Sequence, residues 1–451
     1  MKKLICIMVS LALLLPLAGC TSKPEKEKSL TILSCEFPED TNYYLGRAIA
    51  EFTLEHPDVK VDLICYDGSD TAQFLTKHFT EIMAGNGPDL IWFNPLIYQK
   101  INTVSDMEKM MRSGAFADMT SFMESDKDID WEDANQAVLE AGRRNGKQYL
   151  LPIDYGFPLL ITTQEQLDRY QIKKENLGGY QGFLREMAVY LDNAGEDDSS
   201  VFPQELLLPL CSALNDTFSD YEAGAVKEEF FALGEALETE RRIAVFDQAR
   251  RSEGENFLDM EEIAHRIADG EILFHDVTYS ESSTVGQMIA ALEAYGKTPV
   301  AIPMRNSHGE LCAQFTNSFA ITESSKNKQA AYQFISTLLT PPAQSGELFY
   351  RVNPNIPVLR SSLSDCFSRQ KDAILKMELS LENTEKEVAY PDSFYAEYIG
   401  DIDEIDAAIS YHTMADYRIF LSCKSYFLTP SATLEKLMAH VQERIPLYLS
   451  E

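Results

Sequence analysis

An α/β fold with a largely parallel sheet is predicted by three observations. Short apolar runs at 30–35, 59–65 and 90–93 alternate with two helix-period segments, giving a β-α-β-α-β order. Hydrophobic residues make up 45% of the chain and charged residues 24%, the balance of a globular protein. Its 451 residues leave room for two or three domains at roughly 150 residues each.

Leu30 to Cys35 is a short, mostly apolar run suited to a buried strand. Leu45, Ile49 and Phe52 fall on one face of a helix that His56-Pro57 stops. Val59, Val61 and Leu63 alternate as a strand requires. Leu75, Phe79, Ile82 and Met83 form the stripe of a second helix, ended by Gly85 and Gly87. Leu90 to Phe93 is the third strand. Ligands of such sheets bind beyond the carboxyl ends of the strands. That rule singles out Glu36-Phe37, Tyr66 to Asp70, and Phe93-Asn94. Later in the chain, Val285, Ile289 and Leu292 mark an amphipathic helix. Leu434, Leu437 and Val441 mark another, with a start signal at Ser431. Residues 195–200 (GEDDSS) read as a solvated loop.

The charge excludes some partners. With 39 basic and 71 acidic side chains the net charge is −32, which argues against nucleic acid and repels an anionic membrane surface. Membrane association therefore needs a specific device. Lys2 and Lys3 precede the apolar stretch Leu4–Leu17, too short for a bilayer span of roughly 20 residues and suited to an export signal. Leu17-Ala18-Gly19-Cys20 then resembles the lipobox of bacterial lipoproteins. The resemblance implies cleavage after residue 19 and a lipid on Cys20. Thr21 to Ser29, polar and containing a proline, completes a lipidated tether over 20–29, its nine residues reaching roughly 15–18 Å. An ordinary secretory signal is the alternative.

Other motifs point away from chemistry. The cysteines form no CxxC pair, and the histidines form no HExxH. No GxSxG elbow occurs. Gly296-Lys297-Thr298 mimics the end of a phosphate-binding loop, but Ala291 replaces its first glycine and Pro299 blocks the following helix. Asp126, Asp128 and Asp130 open like a calcium loop, but Trp131 and Ala137 occupy positions that need Gly and Glu. The sequence thus indicates no metal and no cofactor.

A resemblance extends the reading. HPDVKVDLICYDG with FTEIMAGNGPDLIWFN, GKQYLLPIDYG at 146–156, ADGEILFHDVTYS at 268–280, SFAITESSKNKQAAYQFISTLLTPPAQ at 318–344 and VNPNIPV at 352–358 occur in order. Together they resemble the maltodextrin-binding class of bacterial extracellular solute-binding proteins. Ile161-Thr162-Thr163 departs from that class, which often has Tyr-Asn there. The resemblance implies a two-lobed, periplasmic-binding-protein-like fold. Each lobe would be a mainly parallel sheet flanked by helices, with a ligand cleft between them. Lobe one would hold 30–152 and 318–353, and lobe two 154–315 and 356–451.

The matched positions imply ligand contacts from Glu36, Phe37, Trp92, Phe93, Asn94, Tyr155, Phe202 and Tyr279. Sugars present hydroxyl arrays and apolar C–H faces, so aromatic platforms beside carboxylates and amides suit them. Core packing is the alternative for each ring. Trp92 and Phe93 are adjacent in an extended segment and point to opposite faces, so one is expected in the core and the other, Phe93, in the cleft. The implied protein is a lipid-anchored substrate-binding component of an ABC importer on the outer face of the bacterial cytoplasmic membrane. It would bind a sugar, perform no chemistry and dock on permease subunits. The rival readings are an exported glycan-active enzyme, marked by facing carboxylates, and a binding module feeding a sensor or adhesion system.

Overall fold

The computed structural model describes residues 28–34, 45–66, 70–93, 106–203, 208–250, 260–277, 282–345, 355–374, 379–381, 384–386 and 388–450. The expected alternation builds the start of the main sheet. β1 (Lys28–Leu33) pairs in parallel with β2 (Val59–Ile64), Leu30 opposite Val61. It also pairs in parallel with β3 (Leu90–Phe93), Ile32 opposite Leu90. The connecting helices are α1 (Gly46–Glu55) and α2 (Thr71–Met83). Asp70 caps α2 by accepting the Gln73 N–H, and Leu75, Phe79 and Ile82 are buried as the spacing predicts. Met83, expected in the same stripe, is 54% exposed. It stands one residue beyond Ile82, about 100° around the helix. Buried Asp89 ties this layer together, accepting the Thr31 N–H and hydroxyl at 2.9 Å each and the Ser325 hydroxyl at 2.6 Å.

The chain leaves this layer through β4 (Leu151–Gly156) and β5 (Leu159–Thr163). There follow α3 (Tyr180–Asn193), α4 (Gly234–Gln248), α5 (Met260–Asp269), β6 (His275–Val277), α6 (Ser282–Ala294) and β7 (Pro299–Pro303). β5 lies between β6 and β7 and is antiparallel to both. Parallel pairing, expected in both lobes, is therefore confined among the described strands to the main sheet. The connectivity explains it. β6, α6 and β7 form a β-α-β crossover with its strands running alike, and β5 enters between them from the opposite direction.

β8 (Cys312–Ile321) returns to the main sheet between β3 and β4, antiparallel to each. After α7 (Lys328–Leu338), β9 (Ile356–Pro357) pairs with the outer side of β4. α8 (Leu363–Ile374) and α9 (Asp392–Asp403) lead to β10 (Ala407–Ile409), which pairs in parallel with the first half of β8. The main sheet thus runs β9-β4-β8-β3-β1-β2, with β10 beside β8. α10 (Met414–Leu428) and α11 (Leu434–Ser450) close the chain. The Thr433 hydroxyl accepts the Lys436 N–H at 3.3 Å, so the start of α11 is set by Thr433 and not by Ser431.

Two hydrophobic clusters result. The larger joins the main sheet to α1, α2 and α7, where Phe334 meets Phe52 and Phe319 edge to face, and extends to α5, α6, α8 and α9. The second packs α3 and α4 against α10 and α11 through Phe183, Leu237, Phe420 and Val441. In the 195–200 loop, residues 195–197 are exposed as expected, while Ser199 is buried and donates to Gly270 O. Among the described residues no helix is long and apolar enough to cross a membrane.

Candidate ligand cleft and the crossing strands

The three segments expected to cross between lobes lie side by side. Tyr155 on β4 stands opposite Phe315 of β8 on one side and Ile356 of β9 on the other. Polar side chains bind the crossings to one another. Asp154 is fully buried and accepts the Asn317 N–H at 2.7 Å and the Asn317 amide nitrogen at 3.1 and 2.9 Å. The β4–β8 register shifts on both sides of Asn317, so the carboxylate supplies an acceptor where the ladder is irregular. Gln344 joins the first and third crossings. Its amide nitrogen donates to Ile153 O at 3.0 Å, and its oxygen accepts the Val358 N–H at 2.8 Å.

The cleft residues read from the sequence divide into two groups. Glu36, Phe37, Asn94 and Tyr279 lie outside the described residues, as does Cys20. Trp92, Phe93, Tyr155 and Phe202 are described, and all four are buried. Trp92 stands opposite Phe319. Phe93 has no exposed surface, lying against Phe116 at 6.3 Å and Tyr411 at 6.1 Å between ring centroids. The expected split into one core ring and one open cleft ring is not seen here. Pleating sends the two rings to opposite faces, but the sheet is covered on both. Tyr155 is sealed in the crossing, where its hydroxyl accepts from the Asn135 amide at 3.3 Å and burial pushes its pKa up. Phe202 packs on Phe183, and its N–H, like that of Val201, is held by the buried Asp247 carboxylate.

A cavity of 630 Å³ opens beside the crossings. Arg112 and Arg144 line it from the main-sheet side, Tyr221 and Lys227 from the opposite side, and Tyr411 and Asp416 from the segment after β10. Its charges are largely paired. Buried Glu108 accepts Arg112 Nε and Arg144 Nε at 2.8 Å each. Asp416 accepts the Phe218 and Ser219 N–H groups at 2.7 and 2.8 Å. These groups can orient a polar ligand. Sequence reasoning did not single out Asp154, Asp247, Asp416 or Tyr411, although an acid inside an apolar run such as PIDYG was a usable signal.

The two look-alike motifs have structural uses. Thr298 donates its N–H and hydroxyl to Glu165, so a carboxylate stands where a phosphate would bind. Asp126 accepts the Asp128 N–H and the hydroxyls of Tyr332 and Ser336. Among the described residues no cluster of three His, Cys, Asp or Glu side chains could hold a metal ion. Among the described residues Cys211, Cys312, Cys366 and Cys423 are free thiols.

A main sheet joined to a second, helix-rich body through adjacent crossing strands defines a two-lobed binding-protein fold. The family model for bacterial extracellular solute-binding proteins matches residues 47–373, and the chain belongs to that family. Solved structures agree on the fold. The sugar-binding protein MalE from Xanthomonas citri superposes with a TM-score of 0.65 at 15% identity, covering 94% of this chain and 98% of that one. The ABC substrate-binding protein Lmo0181 from Listeria monocytogenes, solved with cycloalternan, gives 0.60 at 15% identity, covering 94% and 99%. The GacH receptor of Streptomyces glaucescens, solved unliganded and with acarbose, gives 0.57 at 14%, covering 95% and 100%. No curated protein matches by sequence.

Proposed function

We propose that this protein is the lipid-anchored substrate-binding component of an ABC importer and that its ligand is an oligosaccharide or sugar derivative. One observation carries the reading: three adjacent crossing strands, fastened by Asp154 and Gln344, lie within a chain matched over 47–373 to extracellular solute-binding proteins. Cycloalternan and acarbose, the saccharides in complex with two structural neighbours, support a sugar. Lobe one comprises 30–152 and 318–353, and lobe two 154–315 and 356–451. Ligand binds between them through Glu36, Phe37, Asn94 and Tyr279, and closure follows because it touches both lobes. The lipid on Cys20 holds the protein on the outer face of the cytoplasmic membrane, where the closed form meets the permease. The protein performs no chemistry on its ligand.

A thermal-shift screen of oligosaccharides, peptides and polyols tests this reading. A ligand at 100 times its Kd adds about 2.7 kcal/mol of stability, so a saccharide should raise the melting temperature and be recovered unchanged. A response to peptides alone, or a shortened saccharide, would reject it.

A further inference from the structure

We infer that Asp106, Tyr221 and Tyr448 form a latch that holds the lobes together and sets ligand affinity; this rests on the two-lobe closure proposed above. Asp106 precedes the helix Met107–Arg112 and is 7% exposed. Its Oδ2 accepts the hydroxyls of Tyr221 and Tyr448, the latter at 2.6 Å, and its Oδ1 accepts the Lys109 N–H at 3.2 Å. Lys109 adds a second tie. Its Nζ donates to Tyr448 O at 2.9 Å and stands 4.2 Å from that ring's centroid. Arg112 lies 5.8 Å from the Tyr221 ring and 4.0 Å from Glu222.

The partners belong to different bodies. Met107, Met110 and Met111 pack into the main-sheet cluster. Tyr221 sits on a hairpin whose Val226 belongs to the second cluster, and Tyr448 lies on α11, whose Leu437, Val441 and Ile445 belong there too. The bonds join residues 115 and 342 positions apart in sequence. They also stand at the edge of the 630 Å³ cavity, which Arg112 and Tyr221 help to line. A rigid-body opening of the lobes would break all of them together.

The chemistry suits a reversible tie. Burial and the neighbouring Asp106 charge push both phenol pKa values up, so the hydroxyls stay protonated and donate. A hydrogen bond to a carboxylate is stronger than a neutral one, yet all three groups can be solvated when the lobes part. The latch therefore favours the joined arrangement without holding either lobe's core together. Contacts present in one arrangement and absent in the other shift the equilibrium between them, and ligand affinity follows by linkage.

The test is the double variant Tyr221→Phe/Tyr448→Phe, which removes two hydroxyls and leaves both rings in place. Small-angle X-ray scattering of the ligand-free mature protein should show a larger radius of gyration than wild type. Affinity for whichever saccharide the thermal screen identifies should fall roughly 5- to 150-fold, the usual range of a coupling between sites. Melting of the ligand-free protein should stay within a few degrees of wild type. An unchanged radius overturns the proposal, as does tighter binding, which would assign these contacts to an arrangement that opposes the ligand. A collapse in melting temperature assigns the residues to the cores and overturns it as well. The scattering comparison needs no ligand, so it judges the latch even if the saccharide reading fails.

Discussion

Asp154 and Asn317 lock the first two crossing strands together: one buried carboxylate takes three hydrogen bonds from a single asparagine, the shortest 2.7 Å from its main-chain nitrogen. Asp154→Ala would remove the acceptor of all three bonds from the half-buried Asn317, which costs about 1–3 kcal/mol. The urea midpoint should fall accordingly. An unchanged midpoint would show that water or a neighbouring acceptor replaces the carboxylate.

Glu240 makes stability depend on pH. It is fully buried, accepting the Tyr180 hydroxyl at 2.6 Å and the Leu210 N–H at 2.8 Å, and burial raises its pKa from 4.5 to about 7. The folded state thus holds this proton more tightly than the unfolded chain does. The resulting stability is fully present below 4.5 and lost as pH rises through 7, by up to about 3 kcal/mol. Glu240→Gln should gain on wild type as pH rises from 4.5 to 8. Equal slopes of urea midpoint against pH in the two proteins would contradict the assignment.

Phe93 gives a sharp choice between packing and binding. With no exposed surface and rings on two sides, Phe93→Ala should cost about 3–5 kcal/mol of stability. Melting of the ligand-free variant checks it. A melting temperature equal to wild type would return Phe93 to the list of ligand platforms.

The anchor is tested by Cys20→Ala. Wild type should partition with membranes and carry acyl chains detectable by mass spectrometry, and the variant should do neither. Acylated, membrane-bound Cys20→Ala protein would reject the lipobox reading.

Local patterns carried the parts of the fold that local physics decides. The β1–β3 run, the α2 stripe at Leu75, Phe79 and Ile82, and the buried face of α6 at Val285, Ile289 and Leu292 are all legible from spacing. What spacing could not show is which groups meet across the chain. Asp154 finds Asn317 across 163 positions, and Asp416 finds Phe218 across 198, so a buried acid looks locally like a misplaced surface residue. Tyr155 and Phe202 were read as ligand platforms because aromatics suit both cores and sugar sites. Their burial depends on neighbours such as Asn135 and Phe183 that no window contains. The antiparallel β5 escaped notice for the same reason, since strand direction is set by where the crossing enters the second sheet.

Native mass spectrometry of the mature protein against a panel of α- and β-linked oligosaccharides tests the central claim most directly. Binding between two lobes without chemistry predicts one intact saccharide per chain, released with its mass unchanged after prolonged incubation. No saccharide bound while amino acids or peptides bind, or bound species reduced to hydrolysis products, would contradict it.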